Sequence, residues 1–274
     1  MIVHANVMVK NESILLDELL PIWKEYPIDK FIFYNDNSSD STVDIIKKHL
    51  PKNSIILNDN KKTFSESHNR SRMLEYSREN NATHVIAIDC DELLSFNFVD
   101  NFEYVMSQYE NLDLRLYWYN VVNETLKETR NDPLYKNNFR SFILPLNNTG
   151  KFDLSLWQYH TPRVPEINLP MRTTKDIGII HLQSINKRFY AIKQLWYKHF
   201  EFINYGHSIQ HINQKYDPVI NNLDFMSIET PKEIIGNIEF DSSIYDKVCK
   251  QKGYLEYIKE NYNKDLITFG KEYI

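Results

Sequence analysis

Four short apolar runs, at residues 2–9, 30–34, 54–57 and 83–88, are separated by three segments whose apolar residues recur at helical spacing. In the first of these, residues 13–25, Ile14, Leu15, Leu19, Leu20 and Trp23 form one stripe, with Ser13 as the expected cap. The second, 42–50, is stopped by Pro51, and the third, 65–80, is closed by Asn80 and Asn81. The apolar runs do not alternate with polar residues, so they read as strands buried on both faces. Strand and helix in strict succession predict an α/β fold: a mainly parallel sheet flanked by helices. Ligands on such sheets bind beyond the carboxyl ends of the strands. The polar clusters after Val9, Tyr34, Leu57 and Ile88 all stand on that rim.

Further along, the pattern predicts a helix over 98–110, a strand over 112–122 and a polar loop over 125–138. Strands follow over 140–146 and over 178–182, the latter containing His181, then a long helix over 186–202. Beyond Tyr205 only helix-prone pieces stand out, at 244–252 and 254–261. The expected organisation is one domain over residues 1–205 and a mostly helical extension over 206–274.

Composition narrows the chemistry. Only 6 glycines occur and the first is Gly150, so the amino-terminal half holds neither a Walker A loop nor a G-x-G-x-x-G turn. A nucleotide bound there needs another way to hold its phosphates, and a carboxylate-held divalent metal is the obvious one. Lys plus Arg number 32 against 37 Asp plus Glu, which argues against a nucleic-acid binder with a general basic surface. Cys90 and Cys249 are too few for a disulfide framework or a four-cysteine zinc site. Lys10, Asn11 and Glu12 cut short the first apolar run, and no stretch approaches the roughly 18 apolar residues of a membrane span. The expectation is a cytoplasmic protein without a signal peptide or transmembrane segment.

Two rim segments carry chemistry. The run 86–88 delivers Asp89, Asp91 and Glu92, and side chains at i and i+2 of a strand end point to one side, where they can share a cation. Acids at a strand end also face water or cap helices for local reasons. The other segment, Asp36-Asn37-Ser38-Ser39-Asp40-Ser41-Thr42, is rich in turn and cap formers, with Asp40 or Ser41 expected to cap the helix from Thr42.

In this order and separation the segments resemble the nucleotide-diphospho-sugar glycosyltransferases of the GT-A fold, chiefly family 2. Asp36, Ser38, Asp40 and Thr42 match the pattern after the second strand, and Asp89 and Asp91 match the Asp-x-Asp after the fourth. Lys10-Asn11-Glu12 is similar to the motif after the first. Asp89–Glu92, then 140–145, Ile180-His181-Leu182, Lys187-Arg188 and Lys193 are similar to the family 92-like branch.

The resemblance implies a GT-A (Rossmann-like) fold and a metal-dependent, inverting hexosyl transfer from a nucleotide-diphosphate sugar. UDP is the default nucleotide, Mn2+ or Mg2+ the cofactor, and a saccharide or other hydroxyl the acceptor. It implies donor contacts at Val9, Lys10, Asn11, Glu12, Asp36, Ser38 and Asp89, and metal contacts at Asp89, Asp91 and His181, with Asp91 a direct ligand and Asp89 meeting the ribose or, through water, the metal. Lys187 and Arg188 would neutralise the diphosphate, while Trp118, Trp157 and His160 lie on the acceptor side. For the general base, Asp153 is the first candidate and Glu166 and Asp176 are alternatives. A non-catalytic nucleotide- or glycan-binding relative is the competing reading.

Overall fold

The computed structural model describes residues 1–58, 65–108, 110–148, 150–152, 162–238 and 240–274. In chain order the elements begin with β1 (Val3–Val9), α1 (Ser13–Trp23), β2 (Lys30–Asn35), α2 (Thr42–His49), β3 (Ser54–Asn58), α3 (Glu66–Glu79) and β4 (His84–Ala87). Next come β5 (Glu92–Leu94), α4 (Phe96–Asp100), α5 (Phe102–Gln108), β6 (Asp113–Asn120), β7 (Glu128–Arg130), β8 (Phe139–Ser141) and β9 (Ile143–Pro145). The rest are β10 (Met171–His181), α6 (Lys187–Tyr205), α7 (Ile209–Ile220), β11 (Ser227–Glu229), α8 (Lys232–Ile235), α9 (Ile244–Lys252) and α10 (Tyr254–Glu260).

The chain divides into two compact units, each discontinuous in sequence. The first comprises Met1–Tyr119, Asn137–His181 and Pro231–Gly236. Its main sheet runs β3-β2-β1-β4-β9, the first four strands parallel and β9 antiparallel. Alternate residues of β2 face opposite helices. Ile32 and Tyr34 pack with Met73 of α3, whereas Phe31 stacks on Trp23 of α1 with ring centroids 6.0 Å apart. A strand covered on both faces has no polar side to show, which is why these runs read as continuous apolar segments. The expected mixed α/β architecture, a parallel-containing sheet flanked by helices, is the one observed.

A second sheet, β5-β10-β6-β8, carries the acid-rich end of the first unit. Three expectations change here. The helix expected over 98–110 is two short helices, α4 and α5, meeting at Asn101. The strand expected over 140–146 splits at Phe142, so that β8 pairs with β6 while β9 joins the main sheet beside β4. The short strand ending at His181 is the inner end of an 11-residue strand. Its outer six residues, Met171 to Asp176, are mostly exposed and polar, so no apolar pattern announced them. Gly178 sits where a Cβ would come within 2.6 Å of the Tyr117 carbonyl oxygen and of the Tyr119 ring, an approach only glycine permits.

The second unit comprises Asn120–Lys136, Leu182–Thr230 and Asn237–Ile274. This division puts α6 with the residues after 206 rather than with the sheet. Asn186 caps α6 by accepting from the Phe189 N–H at 2.8 Å, and Gly206 ends it in the left-handed region at φ 65°. Part of the expected loop over 125–138 is strand: β7 pairs with β11 in a two-stranded ribbon. Within this unit Arg130 is buried between the rings of Tyr135 and Phe225, its guanidinium carbon 3.8 and 4.0 Å from their centroids. Its Nε donates to Asp132 at 2.8 Å and its Nη1 to the Tyr190 hydroxyl at 3.0 Å.

Candidate functional site: an acid turn and two rim loops

The loops after β1 and β2 are stitched together by their own side chains. Asn11 N–H donates to Ser38 Oγ at 3.0 Å, Glu12 N–H to Thr42 Oγ1 at 2.8 Å, and Ser13 N–H to Asp40 Oδ2 at 3.1 Å. Ser39 N–H returns a bond to Asn11 Oδ1 at 2.8 Å. Asn11 and Asn37 both have φ 53°, in the left-handed region where asparagine is tolerated better than most residues. The chain thus turns its rim loops with asparagine and without glycine. Ser13 is the first helical residue and not the cap; its N–H is held by Asp40 instead.

Ser38, Asp40 and Thr42 therefore serve loop architecture, and Asp36 is the member of that motif set apart. It follows β2, its N–H donates to the Val9 carbonyl at 2.9 Å, and its carboxylate pairs with Lys10 at 2.9 Å. Val9, Lys10, Asn11, Glu12, Asp36 and Ser38 are thus brought together as expected from their strand ends.

Asp40 yields a stability prediction. Leaving water raises its pKa, but the hydroxyl of Thr42 and the N–H groups of Ser13 and Thr42 outweigh that and hold it below its ordinary value of 3.8. A lowered folded-state pKa contributes stability that is complete above the ordinary value and is lost as pH falls through the folded one. Asp40→Ala is expected to cost about 1–2 kcal/mol at pH 7, as the loss of a cap does. Urea unfolding should show that difference shrinking below about pH 4.

The acid turn follows β4. Glu92 is fully buried, and four donors converge on its carboxylate. Asp89 N–H reaches Oε2 at 2.8 Å, Trp118 Nε1 reaches Oε1 at 2.6 Å, and both terminal nitrogens of Arg163 fork onto the two oxygens. Burial pushes the Glu92 carboxyl upward, and Arg163 works against it. The same guanidinium donates to Asp89 Oδ2 at 2.6 Å, while buried Arg70 stands 3.6 Å from Asp89 Oδ1 and pairs with Glu66 at 2.6 Å. Loss of water raises the Asp89 pKa, but Arg163 and Arg70 outweigh that and hold it low.

Asp91 points elsewhere. Antiparallel pairing sets His181 opposite Glu92, and His181 Nε2 lies 3.4 Å from Asp91 Oδ2. Both residues are buried. Trp118 stacks on the imidazole, centroids 4.4 Å apart and planes 18° from parallel. Its ring is thus built into the wall of the acid turn.

The donor chemistry suits a hard cation at two of the three expected contacts. Neighbouring oxygen or nitrogen ligands on an octahedral ion with bonds of about 2.1 Å lie about 3 Å apart, close to the Asp91–His181 spacing. Asp89 does not join them, because its carboxylate is held by two guanidiniums. Accordingly, among the described residues no group of three His, Cys, Asp or Glu side chains is placed to hold a metal ion.

The remaining expected residues are dispersed. Asp153, Trp157 and His160 lie outside the described residues. Glu166 is exposed in the segment after Arg163, where its carbonyl accepts from Gly150. Asp176 is exposed on β10, five residues and therefore about 16 Å of strand from His181, which removes it as a base for that centre. Lys187 and Arg188 open α6 in the second unit, exposed and paired with Asp224 at 2.8 Å and Asp246 at 3.1 Å. Arg70 and Arg163 were not foreseen, and no local signal marks them, since Arg163 stands 74 residues from Asp89. No described helix is long and apolar enough to cross a membrane.

No protein-family model matches the chain, and no curated protein matches it. Solved structures similar to it include residues 1–349 of S. aureus TarS in complex with UDP-GlcNAc: 12% identity, TM-score 0.49, covering 95% of this chain and 82% of that one. Glucosyl-3-phosphoglycerate synthase from Mycobacterium tuberculosis, in complex with Mn2+, UDP and glucosyl-3-phosphoglycerate, is similar over 34% of each chain, at 14% identity and TM-score 0.28. Likenesses of this strength decide nothing about donor, acceptor or metal.

Proposed function

We propose that the chain is a metal-dependent, inverting glycosyltransferase that moves a sugar, a hexose by default, from a UDP-sugar or related nucleotide-diphosphate sugar to a hydroxyl of a glycan or other acceptor. The observation that carries this reading is the approach of Asp91 to His181 after β4, with Asp36 after β2 and only β1 between those two strands, where the sequence motifs of the GT-A glycosyltransferases also fall.

In this reading Asp36 accepts from the imide N–H of the base, and the backbone from Val9 to Glu12 packs along the nucleoside. Asp91 and His181 hold a divalent cation, Mn2+ or Mg2+, which when bound supplies positive charge to the diphosphate as it leaves. Asp89 faces the ribose. Trp157 and His160 serve the acceptor side. Asp153 takes the acceptor proton as the hydroxyl attacks the anomeric carbon from the face opposite the departing group. The protein acts in the cytoplasm, where nucleotide sugars serve as donors.

The test is nucleoside-diphosphate release from UDP-, GDP- and dTDP-sugars with Mn2+, Mg2+ or chelator. Metal-dependent release from one donor supports transfer and names the nucleotide. Metal-dependent UDP binding without release from any donor, acceptors included, supports the non-catalytic relative instead. Asp36→Ala should weaken UDP binding about tenfold, the worth of one hydrogen bond to a charged group, with unfolding unchanged. An unaltered affinity removes Asp36 from the nucleoside.

A further inference from the structure

The amino-terminal ends of β1 and β4 open on a cleft of about 760 Å³, a volume within the range of small-molecule sites. Val3 and His84 begin these two strands and pair with each other, so the cleft lies one strand length, about 20 Å, from the rim that carries Asp36 and the acid turn. Val3, Phe102 and Met106 are its buried apolar lining. Asp29, Glu103 and Glu110, all exposed, give it three carboxylates, and no lysine or arginine lines it. His84 lines the same cleft and is 4% exposed. Its Nδ1 meets the Thr83 hydroxyl at 3.0 Å, and that hydroxyl donates to the Ile2 carbonyl at 2.9 Å. Nδ1 therefore carries the ring proton, and Nε2 is left as a buried acceptor with no donor among the described residues. Burial holds the ring's pKa below its ordinary value of 6.5, against the pull of Glu110, which keeps the imidazole neutral at pH 7.

We infer that this cleft binds an aliphatic polyamine, with its ammonium groups on Asp29, Glu103 and Glu110, its methylenes along Val3, Phe102 and Met106, and one N–H donated to His84 Nε2. An ammonium donates and cannot accept, which matches three carboxylates and an acceptor that lacks its donor. Asp29 precedes β2, Glu103 lies on α5 and Glu110 follows it, and among the described residues no three such side chains are placed to hold a metal ion. Charge spread along a chain therefore fits these acids better than charge concentrated on one ion. Each exposed ion pair contributes little by itself, so a single amine would be held poorly. Several ammoniums on one chain turn the later contacts into intramolecular ones. The methylenes between them also cover apolar surface that a hydrated ion would leave wet. The cleft shares no residue with the donor site, so this inference stands or falls apart from that reading.

Calorimetric titration of spermidine into the whole chain at pH 7, with octanediol and Mg2+ titrated in parallel, tests it. Spermidine should saturate a single site, with octanediol and Mg2+ about tenfold or more weaker. Glu103→Gln combined with Glu110→Gln should weaken spermidine about tenfold, the worth of two exposed ion pairs. Both positions are exposed, so the unfolding curve should not move. His84→Phe keeps a ring and all three carboxylates but removes the acceptor, and should also cost about tenfold, as loss of a hydrogen bond to a charged group does. Should His84→Phe fail to fold, the double glutamine variant carries the test. Spermidine binding that is absent, or that the glutamine variant leaves unchanged, overturns the site. A loss in the glutamine variant with none in folded His84→Phe overturns it too, because acids alone then mark a general attraction for cations. Octanediol or Mg2+ bound as tightly as spermidine overturns the polyamine as the ligand.

Discussion

Asp91→Ala is expected to abolish metal-dependent nucleotide binding, with UDP affinity in Mn2+ falling about 100-fold or more, equivalent to about 2.7 kcal/mol. The size follows from the small number of protein ligands. In the proposed site Asp91 is the carboxylate ligand beside His181, and its loss would leave the cation without a carboxylate there. The change should leave the fold intact. Asp91 is not part of the Arg163 fork on Glu92, and the donors converging on Glu92 keep the turn in place. Calorimetry with UDP and Mn2+, beside an unfolding curve, checks both statements. Retained affinity in a folded variant moves the metal elsewhere.

The second large effect concerns stability. Arg130→Met should destabilise the protein by about 3–5 kcal/mol, the range for breaking a buried ion pair from one side. Arg130 and Asp132 have side chains 0% and 1% exposed, so Asp132 would be left buried without its guanidinium. The Tyr190 hydroxyl would lose a donor, and Tyr135 and Phe225 the cation between their rings. Replacing both partners, Arg130→Met with Asp132→Leu, should recover much of the loss, because the unpaired charge is what costs most. Urea unfolding of the single and double variants measures this. A double variant as unstable as the single one places the cost in lost packing.

What could be read from the sequence divides along physical lines. The main sheet was legible because its strands are covered on both faces and therefore apolar throughout, as Phe31 and Ile32 show by facing opposite helices. Asp36 and Asp91 were legible because strand ends are local features of the chain. His181 was marked by the apolar strand that carries it, and register placed it opposite Glu92. The outer half of β10 was hidden because its residues face water and carry no pattern.

Arg163 was hidden for another reason. A lone arginine becomes meaningful only when the chain returns it to acids 71 and 74 residues away. The two guanidinium partners of Asp89 were therefore not foreseen. Glu92 was similarly read as a third acid of a cluster, when its burial makes it the anchor of the turn. Stacking of the Trp118 indole on His181 and its bond to Glu92 were not legible either, since they join residues far apart in sequence.

The most direct test of the donor site is calorimetric titration of UDP into the protein in Mn2+ and again in chelator, with Asp91→Ala in parallel. Saturable binding in Mn2+ that disappears both in chelator and in the variant is the predicted result. UDP binding that is indifferent to the metal and to Asp91, or no UDP binding under any of the three conditions, would contradict it.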